Sequence, residues 1–346
     1  MTIAERINAE RVVLAGWSRA ILLQLAHPLV AQGVADHSSF SRKQGGTSRT
    51  NVERRTLNAE GGASPNVERR TLNAAGGSLS NAERRPPNAE GGASPNVQRR
   101  TSNAGGERAT NAERATTMTA VRGGTLFSAA ARLHHTVQAM RHLTFGDPSQ
   151  SRAALEGIRA IHRRVNGTLV DAVGPYPAGT PYSAEDASLV LWVHATLLDS
   201  LPRVYEAVVR PISATERDEW CRESAPVARA LGGGADVPET WADVQTYMSE
   251  MLTSGRIVVS DTARDLAADV LAPRFSALIA PWRAMNRTVT VGLLPPELRV
   301  QYGFPWSAKD DATLVRTLRG LGTLRRLTPD VLALWPDARQ RLTPDA

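Results

Sequence analysis

The sequence predicts an all-α fold, a single helical domain interrupted by one low-complexity insertion. Apolar residues recur at three- and four-residue spacing over 4–27, 125–145, 150–173, 184–209, 214–231, 240–254, 260–272 and 309–325. Helix-start signals precede several of these stretches. No segment alternates apolar and polar residues as a half-buried strand would.

The first stretch lies in the N-terminal segment, 1–41. Arg19, Gln24, His27 and Pro28 interrupt the apolar run Val12–Ala35 before it reaches the ~20 apolar residues a membrane span requires, so it reads as a core helix. His27 precedes Pro28, whose ring disfavours helix at the residue before it, and His37-Ser38 begins a loop; both histidines read as structural. Further on, Ser183-Ala-Glu-Asp186 and Ser213-Ala-Thr-Glu216 set an acid three residues after a serine, the capping-box spacing. Thr240 followed by Asp243 caps the stretch from 240, and Gly232–Gly234 close the helix before it. The helical domain resumes over 123–326, and 327–346 reads as a tail.

Between them, residues 42–122 hold a strict 15-residue repeat: Asn51-Val-Glu-Arg-Arg recurs, slightly varied, from Asn66, Asn81, Asn96 and Asn111, with Gly-Gly pairs between copies. Solenoid units run to about 20–50 residues and carry an apolar face to stack. These units offer a Val or Leu apiece, too little to offset about 1–2 kcal/mol per residue of backbone entropy. The sequence therefore predicts a disordered insertion whose removal leaves the fold intact. The alternative reading is a basic arm for nucleic acid or anionic membrane.

The net charge of +7 concentrates there, because residues 42–116 carry 13 Lys or Arg against 7 Glu and no Asp. The rest of the chain is nearly neutral, so no nucleic-acid partner is expected. A single cysteine, Cys221, excludes an internal disulfide or a multi-cysteine metal site. With no basic-then-apolar leader pattern at Met1–Arg6, a cytoplasmic location is expected.

No metalloprotease, EF-hand, phosphate-loop or nucleophile-elbow motif occurs. What remains is seven histidines, at 27, 37, 134, 135, 142, 162 and 194. Arg132, His135 and Thr136 stand at i, i+3 and i+4, one face of a helix. His162 shares a helix face with Ile158 and Val165, and His194 sits in the apolar run Leu189–Leu198. Such a histidine serves either as a hydrogen-bonded core residue or as a ligand, and residues alone leave both open.

The run Trp17-Ser-Arg19…His27-Pro28…Gly33…Asp36-His37-Ser38 resembles the opening segment of the rubber-oxygenase and MpaB type of oxygenases. Arg132-x-x-x-Thr136, Phe145-Gly146, His162-x-x-Val165-x-Gly167, Tyr182-x-Ala-x-Asp186, Trp192-Val-His194-Ala-Thr196-Leu-Leu-Asp199-Ser200 and Leu293-Leu-Pro295…Arg299…Tyr302-Gly303 continue the resemblance in order. The resemblance implies a globin-like helical core, one haem b whose iron His162 binds, and dioxygen-dependent cleavage or oxidation of an apolar, isoprenoid-type substrate. It sets Arg132, His135 and Thr136 on the distal, catalytic side, with His194 the rival ligand or a core neighbour beside Thr196 or Asp199. Rubber oxygenases carry lysine where this chain has His135; a histidine there supplies either a second iron ligand or a hydrogen-bond donor. The alternative function is a helical protein that binds haem or a hydrophobic ligand without turnover. Without a secretion signal, a small intracellular terpenoid, lipid or polyketide-derived substrate is expected rather than rubber.

Overall fold

The structure is a computed structural model that describes residues 1–37, 137–271 and 280–342. The repeat of 42–122 and the first part of the helix expected over 125–145 lie outside the described residues.

The all-helical expectation holds, with refinements at the joints. The stretch 4–27 divides into α1 (Ile3–Ala9), a 3-10 turn (Arg11–Val13) and α2 (Leu14–Leu25). After His27, α3 (Pro28–His37) leaves at a bend of 108°, as Pro28 at a first helical position permits. No single helix among the described residues is long and apolar enough to cross a membrane.

Helical residues 137–145 lead into α4 (Pro148–His162), which Asp147 and Gln150 open with a capping box. The expected helix 150–173 stops at His162. Two short strands, β1 (Asn166–Thr168) and β2 (Pro181–Ser183), pair antiparallel, with Gly167 opposite Tyr182. No strand was expected here because three-residue strands are too short to show an alternation. The hairpin loop tightens again where Val173 and Tyr176 exchange backbone hydrogen bonds of 2.9 and 3.1 Å around Gly174, whose φ of 56° suits glycine.

The hairpin also corrects the first expected cap. Ser183 is paired to Asn166, so the next helix, α5 (Ala187–Val208), starts at Asp186, which accepts from the Ser188 backbone N–H at 2.8 Å. The other signals fall as read. Ser213 and Glu216 box the start of α6 (Ala214–Ala230), and Thr240 caps α7 (Trp241–Thr253). Gly232, at φ 98°, ends α6 while the Gly233 N–H bonds to the Ala228 carbonyl, a Schellman closure. There follow α8 (Asp261–Leu271), α9 (Ala280–Gly292), α10 (Pro296–Gln301) and α11 (Ala308–Leu327). Residues 327 onward, read as a tail, form α12 (Asp330–Ala333) and α13 (Pro336–Leu342).

The core centres on α2 against α5, with α6, α7 and α11 also on α5, α8 and α9 on α2. Ile7, Leu22, Leu23, Trp192, Leu198, Leu201 and Val244 are fully buried there. Pro202 sits inside α5, where it cannot donate to the Leu198 carbonyl four residues back. That carbonyl accepts instead from the Trp220 indole N–H of α6, at 3.2 Å. The C-terminal helices fold onto α1: Leu334 bridges Glu10, and Arg341 pairs with Glu5 at 2.8 Å.

Candidate active site

His162 ends α4, and the helix leads up to it with an apolar stripe. Ala154, Leu155, Ile158 and His162 are half-buried on one face, and no residue of α4 is fully buried. A helix on which the apolar face stops at partial burial presents a surface that another apolar group can cover. The His162 Nδ1 is buried and has no hydrogen-bond partner among the described residues. Burial lowers the His162 pKa, with Glu185 opposing, so the imidazole is neutral and one nitrogen offers a lone pair.

The chain just past His162 is held by three elements. Val165 accepts from the Ala184 N–H at 2.8 Å and packs with Leu29, Leu169, Tyr182 and Leu189. A Cβ on Gly167 would fall 2.5 Å from the Tyr182 hydroxyl, so the ring lies directly on the glycine. Tyr182 donates to Asp36 of α3 at 2.6 Å, and burial together with that carboxylate raises its pKa. From the same helix, Gly33 abuts the Tyr182 ring, and His37 Nε2 meets the Asn166 carbonyl at 3.0 Å. Three motifs far apart in sequence thus form one assembly around the residues after His162.

A second assembly joins the other motifs. Arg19 of α2 pairs with Asp199 at 2.7 Å, donates to the Ser200 hydroxyl at 2.6 Å and to the Leu293 carbonyl at 2.6 Å, all buried or nearly so. Burial favours the neutral acid, yet Arg19 and Arg203 bring Asp199 down to about 2. Tyr302 donates to the Leu22 carbonyl at 2.6 Å. Asp199 is therefore committed to Arg19, Arg203 and Gln245, and Thr196 to Gln24 and the Val193 carbonyl. Neither is hydrogen-bonded to His194.

His194 itself is buried in the middle of α5, its Nε2 unpartnered among the described residues, and burial lowers its pKa to about 4. Arg132, His135 and Thr136 lie outside the described residues. Sequence reading missed Tyr176 and Arg256: Tyr176 meets His27 Nε2 at 3.1 Å and accepts from Arg256 Nε at 3.3 Å. Neither carries a local signal, because the contacts span 149 and 80 residues.

The donor set bears on which cofactor fits. Among the described residues no three His, Cys, Asp or Glu side chains gather to hold a metal ion. Haem iron asks less of the protein, because the porphyrin fills the equatorial positions and one histidine suffices on an axis. The neutral imidazole at the end of an incompletely covered apolar stripe fits that demand.

No curated protein and no solved structure matches the chain. Residues 5–54 and 104–326 match the family described as ER-bound oxygenase mpaB/B'/Rubber oxygenase, catalytic domain, and the gap between them falls within the repeat. With the match covering most of the chain and the motifs of its sequence meeting in two assemblies, the protein belongs to this family of oxygenase catalytic domains.

Proposed function

We propose that the protein is a haem b-dependent oxygenase acting with dioxygen on an apolar substrate of isoprenoid type. The observation that carries this reading is the His162 imidazole, neutral, with a buried unpartnered Nδ1, at the end of the half-covered stripe of α4. In this reading His162 would hold the haem iron, and the hairpin that follows would hold the chain at that end of α4. Bound haem supplies the redox chemistry that activates dioxygen. The protein's own residues orient and exclude: the apolar stripe of α4 keeps water from the site, and the assembly of Gly167, Tyr182 and Asp36 holds the chain after His162. Arg132, His135 and Thr136 would donate hydrogen bonds on the oxygen side, where negative charge develops. His194 serves as a core residue.

The test is the ultraviolet–visible spectrum of protein made in haem-supplied cells, for wild type, His162→Ala and His194→Ala, with circular dichroism to establish folding. A Soret band lost in His162→Ala alone supports the assignment. Loss in His194→Ala alone moves the axial bond to α5. A folded wild type without a Soret band overturns the haem reading. Dioxygen uptake with squalene as probe then separates turnover from binding.

A further inference from the structure

The match to the oxygenase domain stops at residue 326, and the chain goes on into α12 and α13. These helices grip the end of the helix 137–145. Arg141 forks onto Asp337 of α13, Nε to Oδ2 at 2.7 Å and Nη2 to Oδ1 at 2.6 Å, and its guanidinium lies 5.8 Å from the centre of the Trp335 ring. Arg11, from the turn before α2, comes over the same ring at 5.0 Å. Arg341 donates to the Phe145 carbonyl at 2.9 Å, at the negative end of the helix, and to Glu5 of α1 at 2.8 Å. Between these polar contacts Phe145 packs with Ala9, Ala333, Leu334 and Ala338.

The grip fixes direction as well as distance. A forked guanidinium–carboxylate pair has one preferred plane, which a single ionic contact lacks. The Arg141 and Asp337 side chains are 24% and 32% exposed, so solvent screens the pair only in part. At the same end of the helix, Ser151 of α4 donates to the His142 carbonyl at 2.8 Å.

What this end controls follows from the order of the chain. Thr136, His135 and Arg132 come immediately before Val137, and the preceding described helix, α3, ends at His37. A covalent link as long as 38–136 confers little proximity, which falls off as a link grows. The placement of the helix 137–145 therefore comes from its far end, where α12, α13 and α1 meet it.

We infer that Arg141, Trp335 and Asp337 are positioning residues: the C-terminal helices clasp the helix 137–145 and through it set the oxygen side of the proposed haem site. The positioning role rests on the haem reading; the clasp itself does not.

Amide hydrogen exchange of the full chain, wild type against Asp337→Asn, reads the clasp without any cofactor. Exchange over 137–145 should quicken on the order of tenfold while the α5 amides stay unchanged. In haem-loaded protein, the stretching band of carbon monoxide on the ferrous form reports hydrogen-bond donors on the oxygen side. Asp337→Asn should shift and broaden this band while the Soret band keeps its intensity, and Asp337→Glu should restore it. A loss of stability alone would leave the band where it is.

Unchanged exchange in Asp337→Asn overturns the clasp. Quickened exchange with an unmoved carbon monoxide band overturns the positioning role and leaves the C-terminal helices as a support for the fold. A folded wild type without a Soret band removes the haem reading and the positioning role with it, while the exchange result still decides the clasp. Should Asp337→Asn fail to fold, Arg141→Lys, which keeps a cation near Trp335 and loses the fork, carries the same two measurements.

Discussion

Tyr176, on the loop that follows His162, places its hydroxyl 3.1 Å from His27 Nε2 at the corner between α2 and α3, and the two rings tilt at 45°. His27 is 1% exposed and its Nδ1 has no partner among the described residues, so Tyr176 is the group that satisfies it. Tyr176→Phe leaves both ring nitrogens buried without a hydrogen bond. The expected loss is about 1–3 kcal/mol in urea unfolding, with the m-value unchanged.

Two buried imidazoles make the fold sensitive to acid. Burial, with Arg256 adding and Asp186 opposing, lowers His27 to about 4, and burial lowers His194 to about 4. The unfolded chain binds these protons near the ordinary value of 6.5, before the folded chain does. Their contribution is therefore complete above pH 6.5 and is lost as pH falls toward 4, by an amount on the order of 3 kcal/mol for each histidine. Urea midpoints measured across that window should fall steeply in wild type and less steeply in His194→Phe.

The pair of Arg19 and Asp199 is expected to matter through what its loss strands. Arg19→Met removes a buried cation and leaves Asp199 beside only Arg203 and Gln245, and the Leu293 carbonyl without its donor. Thermal and urea unfolding should report a loss of about 3–5 kcal/mol. Arg19→Met/Asp199→Leu should recover part of it, since the apolar pair leaves no buried charge unanswered and Arg203, which loses Asp199, is 40% exposed and is answered by water.

Gly167 tests the hairpin behind His162. Gly167→Ala sets a methyl group 2.5 Å from the Tyr182 hydroxyl and 2.8 Å from its ring carbon, in a ring that is 5% exposed and tied to Asp36. The ring has to shift, at a cost of about 1–3 kcal/mol in stability. If His162 binds haem, the same variant should release haem faster to an apoprotein acceptor while keeping its helical circular dichroism.

Much of the fold was legible because helix signals are local. The box of Ser213 and Glu216, the Thr240 cap and the Gly232 closure depend on neighbours within a turn, and all stand where the residues put them. Ser183 has the same spacing and fails, because its strand partner, Asn166, lies far back along the chain and outcompetes the cap. The helix expected to 173 stops at His162 for the same reason: Gly167 is required by Tyr182, a contact no periodicity reveals. The order of motifs pointed to His162 and His194, yet nothing local announces that Asp36, Tyr182 and Gly167 meet, or that Arg19 reaches Asp199 and Leu293. Arg132, His135 and Thr136 remain readable in sequence only.

Pro202 gives α5 a carbonyl that its own helix cannot use, and Trp220 of α6 takes it. Until α6 docks, the turn at Leu198 has a polar group that only solvent can satisfy, in a segment whose other side chains need to leave solvent. The two helices therefore gain their stability together rather than in succession. In native-state hydrogen exchange, amides on either side of Pro202 and those of α6 around Trp220 should open as one cooperative unit, and Trp220→Phe should split that unit in two.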